Sequence, residues 1–114
     1  MKVDVQEPMP QVYVVVPHGD VDMGSSPDVR KALAPLFQKG TVQVIVDLSQ
    51  VPYMDSSGIA TLIEGFQRSQ KGAIRFTLAG MNPSVEAAFD LAHLKDVFEV
   101  VPGVDVALGG RNKA

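Results

Sequence analysis

The chain has 114 residues, of which 46% are hydrophobic and 20% are charged, so it is long enough for one globular domain and too short for two ordinary ones. A net charge of -3 does not favour nucleic-acid binding through bulk electrostatics, and the absence of cysteine excludes disulfides, thiolate metal sites and a cysteine nucleophile. We expect a soluble, cytoplasmic protein, because the sequence has neither an apolar run near the roughly 20 residues that span a bilayer nor a signal peptide after Met1.

The predicted elements alternate between strands and helices after an initial hairpin. Runs rich in β-branched residues predict strands at residues 2–7, 12–16, 42–48, 74–79 and 98–101. Apolar residues at helical spacing predict helices at about residues 26–40, 57–70 and 82–91, with a weak helical turn at 103–108. The order ββαβαβαβ, followed by that weak C-terminal helix, predicts a single α/β domain over residues 1–110 with a mixed sheet. Residues 111–114 resemble a frayed tail.

Residues typical of helix ends and buried strands mark the boundaries of these elements. Ser26 is predicted to cap the first helix, with Pro27 at the first helical position, and Gly40 is predicted to end it. The segment 42–48 is nearly all β-branched or apolar, so we expect it to be an interior strand that is covered on both faces.

The tetrapeptide 55–58, Asp-Ser-Ser-Gly, stands between a predicted strand and a predicted helix. The residues after it are apolar at positions 59, 62, 63 and 66, which is helical spacing, and we expect this stripe to be buried against the sheet. At the start of a helix the backbone N–H groups are unpaired and negative charge is favoured. The two serines are therefore candidates for carrying or binding a phosphate, although the same residue types also suit helix capping.

His18 and His93 raise the alternative of a serine hydrolase with Ser56 or Ser57 as the nucleophile. Such chemistry needs a base within hydrogen-bond reach and an acid that orients the base. The sequence has no Gly-x-Ser-x-Gly elbow, and His93 falls near the end of the third predicted helix. No group of His, Asp and Glu residues has the spacing of metal ligands. We therefore expect a non-enzymatic protein without a metal or cofactor of its own.

Four segments, in their order and spacing, resemble the STAS family, the sulphate-transporter and anti-sigma-factor-antagonist domain. The segments are residues 19–22, 44–59, 78–85 and 89–94. The resemblance extends from Val12 to about Leu108 and implies a STAS-type fold. Single-domain members that are similar to this chain are bacterial anti-sigma-factor antagonists.

The resemblance implies a partner and a switch. Its partner would be an anti-sigma factor that is also a serine kinase, and binding would release the sigma factor. The kinase would phosphorylate the serine directly after the motif's aspartate, which is Ser56 here, and a PP2C-type phosphatase would restore the active form. ATP and Mg²⁺ would belong to the kinase, and the free protein is expected to be a monomer. The alternative is a STAS accessory subunit of a membrane transport system without a phosphoryl switch; the intact pair Asp55 and Ser56 favours the switch.

Nine residues form the predicted partner-binding set. They are Asp20, Asp22, Asp55, Ser56, Ser57, Gly58, Thr61, Glu64 and Arg68. The two aspartates of the first loop are predicted to lie at the same edge of the sheet as Ser56, and the matching loop of the family contributes to the partner surface. Thr61, Glu64 and Arg68 fall on the helix face away from the apolar stripe, so we expect them to be exposed. Gly58 either supplies a backbone angle that a Cβ forbids or allows a partner to approach closely.

Overall fold

The computed structural model describes residues 1–112 and contains a five-stranded sheet with helices on both faces. The strands are β1 (Lys2–Met9), β2 (Val12–His18), β3 (Gln43–Asp47), β4 (Arg75–Ala79) and β5 (Glu99–Val101). The helices are α1 (Ser26–Leu33), α2 (Ser56–Lys71), α3 (Pro83–Leu91) and α4 (Val104–Asn112), with a 3₁₀ turn at Ala34–Leu36.

The strands lie in the sheet in the order of the chain, β1-β2-β3-β4-β5. β1 and β2 form an antiparallel hairpin, whereas every later neighbouring pair is parallel. The hairpin turns at Gln11, whose φ is 64°. The predicted α/β class, the mixed sheet and the order of its elements are therefore confirmed.

Each face of the sheet is covered by its own helices. The face under α1, α2 and α3 buries a large cluster that includes Val15, Val44, Val46, Leu62, Phe76, Leu78, Phe89 and Phe98. The other face, under α4, buries a smaller cluster of Val12, Val14, Ile45, Ala79 and Ala107. β3 lies between the two clusters with Val44, Ile45 and Val46 fully buried, so the predicted interior strand is confirmed.

The first helix differs from its prediction at both ends. Its N-cap is Ser25 rather than Ser26, which is buried as the first helical residue. The α-helix ends at Leu33 instead of continuing to Gly40, and the chain proceeds as a 3₁₀ turn. The physical reason is Pro35, which has no N–H to donate to the carbonyl one helical turn earlier.

The last helix is longer than the turn predicted at residues 103–108, since it runs to Asn112. The remainder of the predicted frayed tail, residues 113–114, lies outside the described residues. Among the helices of residues 1–112, none is both long enough and apolar enough to cross a membrane.

Candidate functional site

The loops that follow β2 and β3 lie side by side at the carboxyl end of the sheet. Val21 and Met54 form an isolated parallel bridge between them. The Val21 N–H donates to the Tyr53 carbonyl (3.0 Å), and the Asp55 N–H donates to the Val21 carbonyl (3.1 Å). The loop at residues 19–22 therefore lies beside the entrance to α2, as the sequence predicts.

Asp55 is the N-cap of α2 and fixes the start of the helix. Its carboxylate accepts a hydrogen bond from the Ser57 hydroxyl (2.5 Å) and another from the Ser57 backbone N–H (2.9 Å). The Ser57 hydroxyl, helped by the backbone N–H groups of Ser57, Gly58 and Met23, lowers the pKa of Asp55 below the ordinary aspartate value. Asp55 is therefore ionised at neutral pH, and its charge is held at the N-terminus of α2.

The two neighbouring serines have different surroundings. Ser56 is the first residue of α2 and is exposed. Among the described residues, no hydrogen bond involves its hydroxyl group, whereas the Ser57 hydroxyl is donated to Asp55. The Ser56 hydroxyl is thus the one that an approaching protein can reach without first breaking a hydrogen bond of the fold.

Asp20 and Asp22 are both exposed, and Asp22 also orders the turn that leads into α1. Its carboxylate accepts hydrogen bonds from the backbone N–H groups of Gly24 (2.9 Å) and Ser25 (3.1 Å). The Ser25 hydroxyl in turn donates to the Asp20 carbonyl (2.8 Å). The loop is therefore held in shape by its own polar groups and places both aspartates at the surface near Ser56.

Gly58 is buried where α2 packs on the two loops. A Cβ at this position would lie 2.6 Å from the Met54 Cγ and 2.8 Å from the Val21 Cγ1. Distances that short force a neighbour to shift. The close approach at Gly58 is therefore one between parts of this chain, which accounts for the glycine without a partner.

Thr61, one of the predicted contact residues, is buried in the structure. Its exposed fraction is only 2%, and its hydroxyl donates to the Ser57 carbonyl (2.9 Å), so the prediction that Thr61 is exposed is wrong. The reason is that α2 buries a stripe of mostly small residues. This stripe consists of Gly58, Thr61, Leu62, Gly65 and Ser69. Of the predicted apolar stripe only Leu62 is fully buried, while Ile59, Ile63 and Phe66 are partly buried.

Glu64 and Arg68 lie at the surface, but each is engaged with a neighbouring element. The Glu64 carboxylate accepts a hydrogen bond from the Arg30 Nε of α1 (3.1 Å). The Arg68 guanidinium lies over the Phe37 ring, 5.2 Å from the ring centroid. Both side chains remain accessible, so they extend the surface along α2 away from Ser56.

Met23 and Tyr53 are two exposed apolar residues that the sequence prediction did not include. Met23 is 80% exposed in the loop before α1, and Tyr53 is 50% exposed in the loop before α2. The Met23 backbone N–H lies at the Asp55 carboxylate, and Tyr53 is two residues before Asp55, so both loops lie near the start of α2. The signal in the sequence was a methionine after the 19–22 loop and a tyrosine shortly before Asp55, since both residue types are enriched in protein interfaces.

The two histidines are not assembled with the serines. His18 Nε2 lies 2.9 Å from a carboxylate oxygen of Asp4 on β1. His93 is exposed after the end of α3, where its φ is 56°. Among the described residues, no hydrogen bond joins either imidazole to Ser56 or Ser57, so the geometry that serine hydrolysis requires is not formed.

Comparison with known proteins assigns the family. The sequence model of the STAS domain matches residues 3–107. An anti-sigma-B factor antagonist of Staphylococcus epidermidis is 30% identical over 94 residues, which cover 82% of this chain and 87% of that protein. An anti-sigma factor antagonist of Mycobacterium paratuberculosis has a similar structure, with 24% identity, a TM-score of 0.85 and coverage of 96% and 92%. The phosphorylated form of SpoIIAA, a Bacillus cell fate determinant, has 16% identity, a TM-score of 0.72 and coverage of 93% and 96%. With the family match over most of its length and a relative at 30% identity, the chain belongs to the STAS domain family.

Proposed function

We propose that this protein is an anti-sigma-factor antagonist that is switched by phosphorylation of Ser56. Its unphosphorylated form binds a serine-kinase anti-sigma factor and so releases the sigma factor. The kinase phosphorylates Ser56 to end the interaction, and a PP2C-type phosphatase restores it. The observation that carries the proposal is the exposed Ser56 at the first position of α2, directly after the capping Asp55. The name of the Staphylococcus epidermidis relative supports the antagonist function.

Ser56 is a better acceptor than Ser57 on energetic grounds. The Ser57 hydroxyl donates a short hydrogen bond to the Asp55 carboxylate. Phosphorylation of that oxygen would remove the donated proton and place a phosphate against an ionised carboxylate. A phosphate on Ser56 requires neither change, because it extends into solvent from the helix N-terminus.

Phosphorylation at Ser56 acts on the surface and leaves the fold in place. A phosphate group adds about -1.5 to -2 charges, and the N-terminus of a helix tolerates or stabilises such a charge. Asp55 directly precedes Ser56, and the adjoining loop carries the exposed Asp20 and Asp22. The phosphate therefore weakens docking of a partner in two ways. Its size obstructs close contact, and burying its charge in an interface without a counter-charge is costly.

Mass spectrometry after incubation with the cognate kinase and Mg·ATP tests the site. We expect one phosphoryl group on Ser56, no modification of Ser56→Ala, and unchanged stoichiometry in the matched control Ser57→Ala. A phosphate mapped to Ser57 or Thr61, or no phosphate with a verified partner kinase, would contradict the proposal. The latter result would favour the alternative of a transport-associated STAS subunit.

Calorimetric titration of two Ser56 variants against the partner tests the switch itself. Ser56→Ala should bind as the unmodified protein does, whereas Ser56→Glu should bind at least tenfold more weakly, a loss of about 1.4 kcal/mol. Both variants should keep nearly wild-type melting temperatures, because the substitution lies at an exposed helix N-terminus. Equal affinities of the two variants would show that charge at Ser56 does not control binding.

A further inference from the structure

A basic cleft lies at the opposite end of α2 from Ser56. Its lining residues are Phe37, Gln38, Lys39, Arg68, Lys71, Gly72 and Ile74. The cleft is open to solvent and has a volume of about 510 Å³. Arg68 lies twelve residues after Ser56 on the same helix, which places the two about 18 Å apart along the helix axis.

The cleft gathers positive charges that have no acidic partner. Within the part of the chain that the structure describes, Lys39, Arg68 and Lys71 form no ion pair, and no acidic side chain lines the cleft. In contrast, Arg75 pairs with a glutamate, and so does Lys95. Three uncompensated cations are therefore concentrated in one place on a chain whose net charge is -3.

The helix dipole explains only part of this concentration. Arg68 and Lys71 are in the last turn of α2, where cations are favoured by the helix dipole. Lys39 belongs to a different segment, after the 3₁₀ turn, and the dipole of α2 gives no reason for its position. Phe37, which is only half-buried, also lines the cleft and adds an apolar edge beside the Arg68 guanidinium, whereas Ile74 belongs to the buried core and forms the floor.

We propose that this cleft binds an acidic segment of a polypeptide partner. Carboxylates of the segment pair with Lys39, Arg68 and Lys71, and an apolar side chain packs on the exposed edge of Phe37. A polypeptide fits this combination because it carries acidic and apolar side chains close together. Nucleic acid and anionic membranes fit less well, since they act over large surfaces and the whole chain is negatively charged. The proposal does not depend on the function of Ser56.

NMR titration of the ¹⁵N-labelled full chain tests the cleft. The probe is a capped peptide of one phenylalanine followed by four glutamates, and the control peptide has glutamine in place of glutamate. We expect saturable shifts of the amide signals of Lys39, Arg68, Gly72 and Ile74 with the acidic probe, and weaker binding as salt is raised. The Ser56→Ala variant should bind the probe as the wild type does.

Charge reversal supplies the matched comparison. The double variant Lys39→Glu/Lys71→Glu should lose at least about tenfold in affinity for the acidic peptide. Lys31→Glu changes a lysine on α1 that is also exposed but lies outside the cleft, and it should keep the wild-type affinity. Lys39→Gln/Lys71→Gln, a milder double variant, should show an intermediate loss. Unchanged affinity of both double variants, equal binding of the glutamine peptide, or tighter binding of a single-stranded oligonucleotide than of the acidic peptide would overturn the proposal.

Discussion

Because the pKa of Asp55 is lowered in the folded protein, the stability of the fold depends on pH through this residue at the start of α2. A carboxyl group whose pKa is lower in the folded than in the unfolded state stabilises the fold above its unfolded pKa, which is about 4 for aspartate. That stabilisation is lost as the pH falls through the lower, folded pKa. The Ser57 hydroxyl is the main cause of the shift, and the N–H groups of Ser57, Gly58 and Met23 contribute to it, so most of the effect arises in the first turn of α2.

We expect Asp55→Asn to remove this pH dependence while keeping the cap, because asparagine is also a good N-cap residue. The wild type should be more stable than Asp55→Asn at neutral pH, and the difference should shrink as the pH falls below about 4. Thermal unfolding as a function of pH measures both chains. Asp20→Asn, on the neighbouring loop, is the control for the loss of one exposed charge. A constant difference between wild type and Asp55→Asn at all pH values would show that this carboxylate is not coupled to folding.

Individual residues of the site were predictable where local chemistry decides their position. The sequence Asp-Ser before an apolar helical stripe was enough to predict Asp55 at a helix start, since N-capping depends on residues close in the chain. The surface positions of Met23 and Tyr53 were not predictable in this way. They depend on the pairing of two loops through Val21 and Met54, which are far apart in the sequence.

The packing of α2 shows what helical periodicity leaves undetermined. Large apolar residues predict a stripe centred on Leu62 and Ile63, but the fully buried stripe is displaced toward Thr61. The displacement arises because glycines at positions 58 and 65 let the helix approach its neighbours closely. A Cβ at Gly65 would lie 3.0 Å from the Phe76 ring. Periodicity weighs size and polarity, so it assigns small buried residues to the wrong side.

Leu62 is common to the predicted and the observed stripes, which makes it the clearest test of α2 as a core element. It is 1% exposed in the larger cluster, so Leu62→Ala should cost about 2–5 kcal/mol of unfolding free energy. The matched control Gln67→Ala is on the exposed side of the same helix and should change stability by less than about 0.5 kcal/mol. Denaturant titration compares the two. Equal losses would mean that α2 contributes through helix formation alone and not through burial.

The first helix shows that two signals in one sequence can conflict. Leu36 and Phe37 continue the apolar spacing of α1, whereas Pro35 interrupts its hydrogen bonds. The structure satisfies both by changing to a 3₁₀ turn, in which Leu36 is still buried. The core residues were thus predictable from spacing, but the end of the helix required the proline to be given more weight than the glycine at position 40.

At the scale of the whole molecule, the two ends of α2 carry surface charges of opposite sign. Asp55 caps its N-terminus, Asp20 and Asp22 lie on the adjoining loop, and the basic cleft lies at its C-terminus. The net charge of -3 is a sum over the whole chain, so composition alone predicts neither the acidic end nor the basic end of α2. The alternation of strands and helices, in contrast, was enough to predict the mixed sheet, because strands joined by helical crossovers pair in parallel, whereas it did not predict the order of the strands in the sheet.

Exposed apolar side chains are spread over the whole molecule, and their positions distinguish a proposed partner surface from the rest. Met23 and Tyr53 lie in the two loops that meet near the start of α2, whereas Leu91, which is 84% exposed, lies at the end of α3. Met23→Ala and Tyr53→Ala should each weaken binding of the kinase partner about tenfold, or by about 1.4 kcal/mol, because truncated apolar anchors lose buried contact area. Leu91→Ala, the control for loss of an exposed apolar side chain, should leave the affinity unchanged.

Surface plasmon resonance with the immobilised partner measures these three variants, and thermal unfolding confirms that each is folded. The loss should appear mainly as faster dissociation, since substitutions within an interface act mostly on that rate. Wild-type affinity of both Met23→Ala and Tyr53→Ala would confine the docking surface to the carboxylates and Ser56. Charge alone would then hold the complex, and its affinity should fall steeply as salt is raised, because exposed ion pairs are screened.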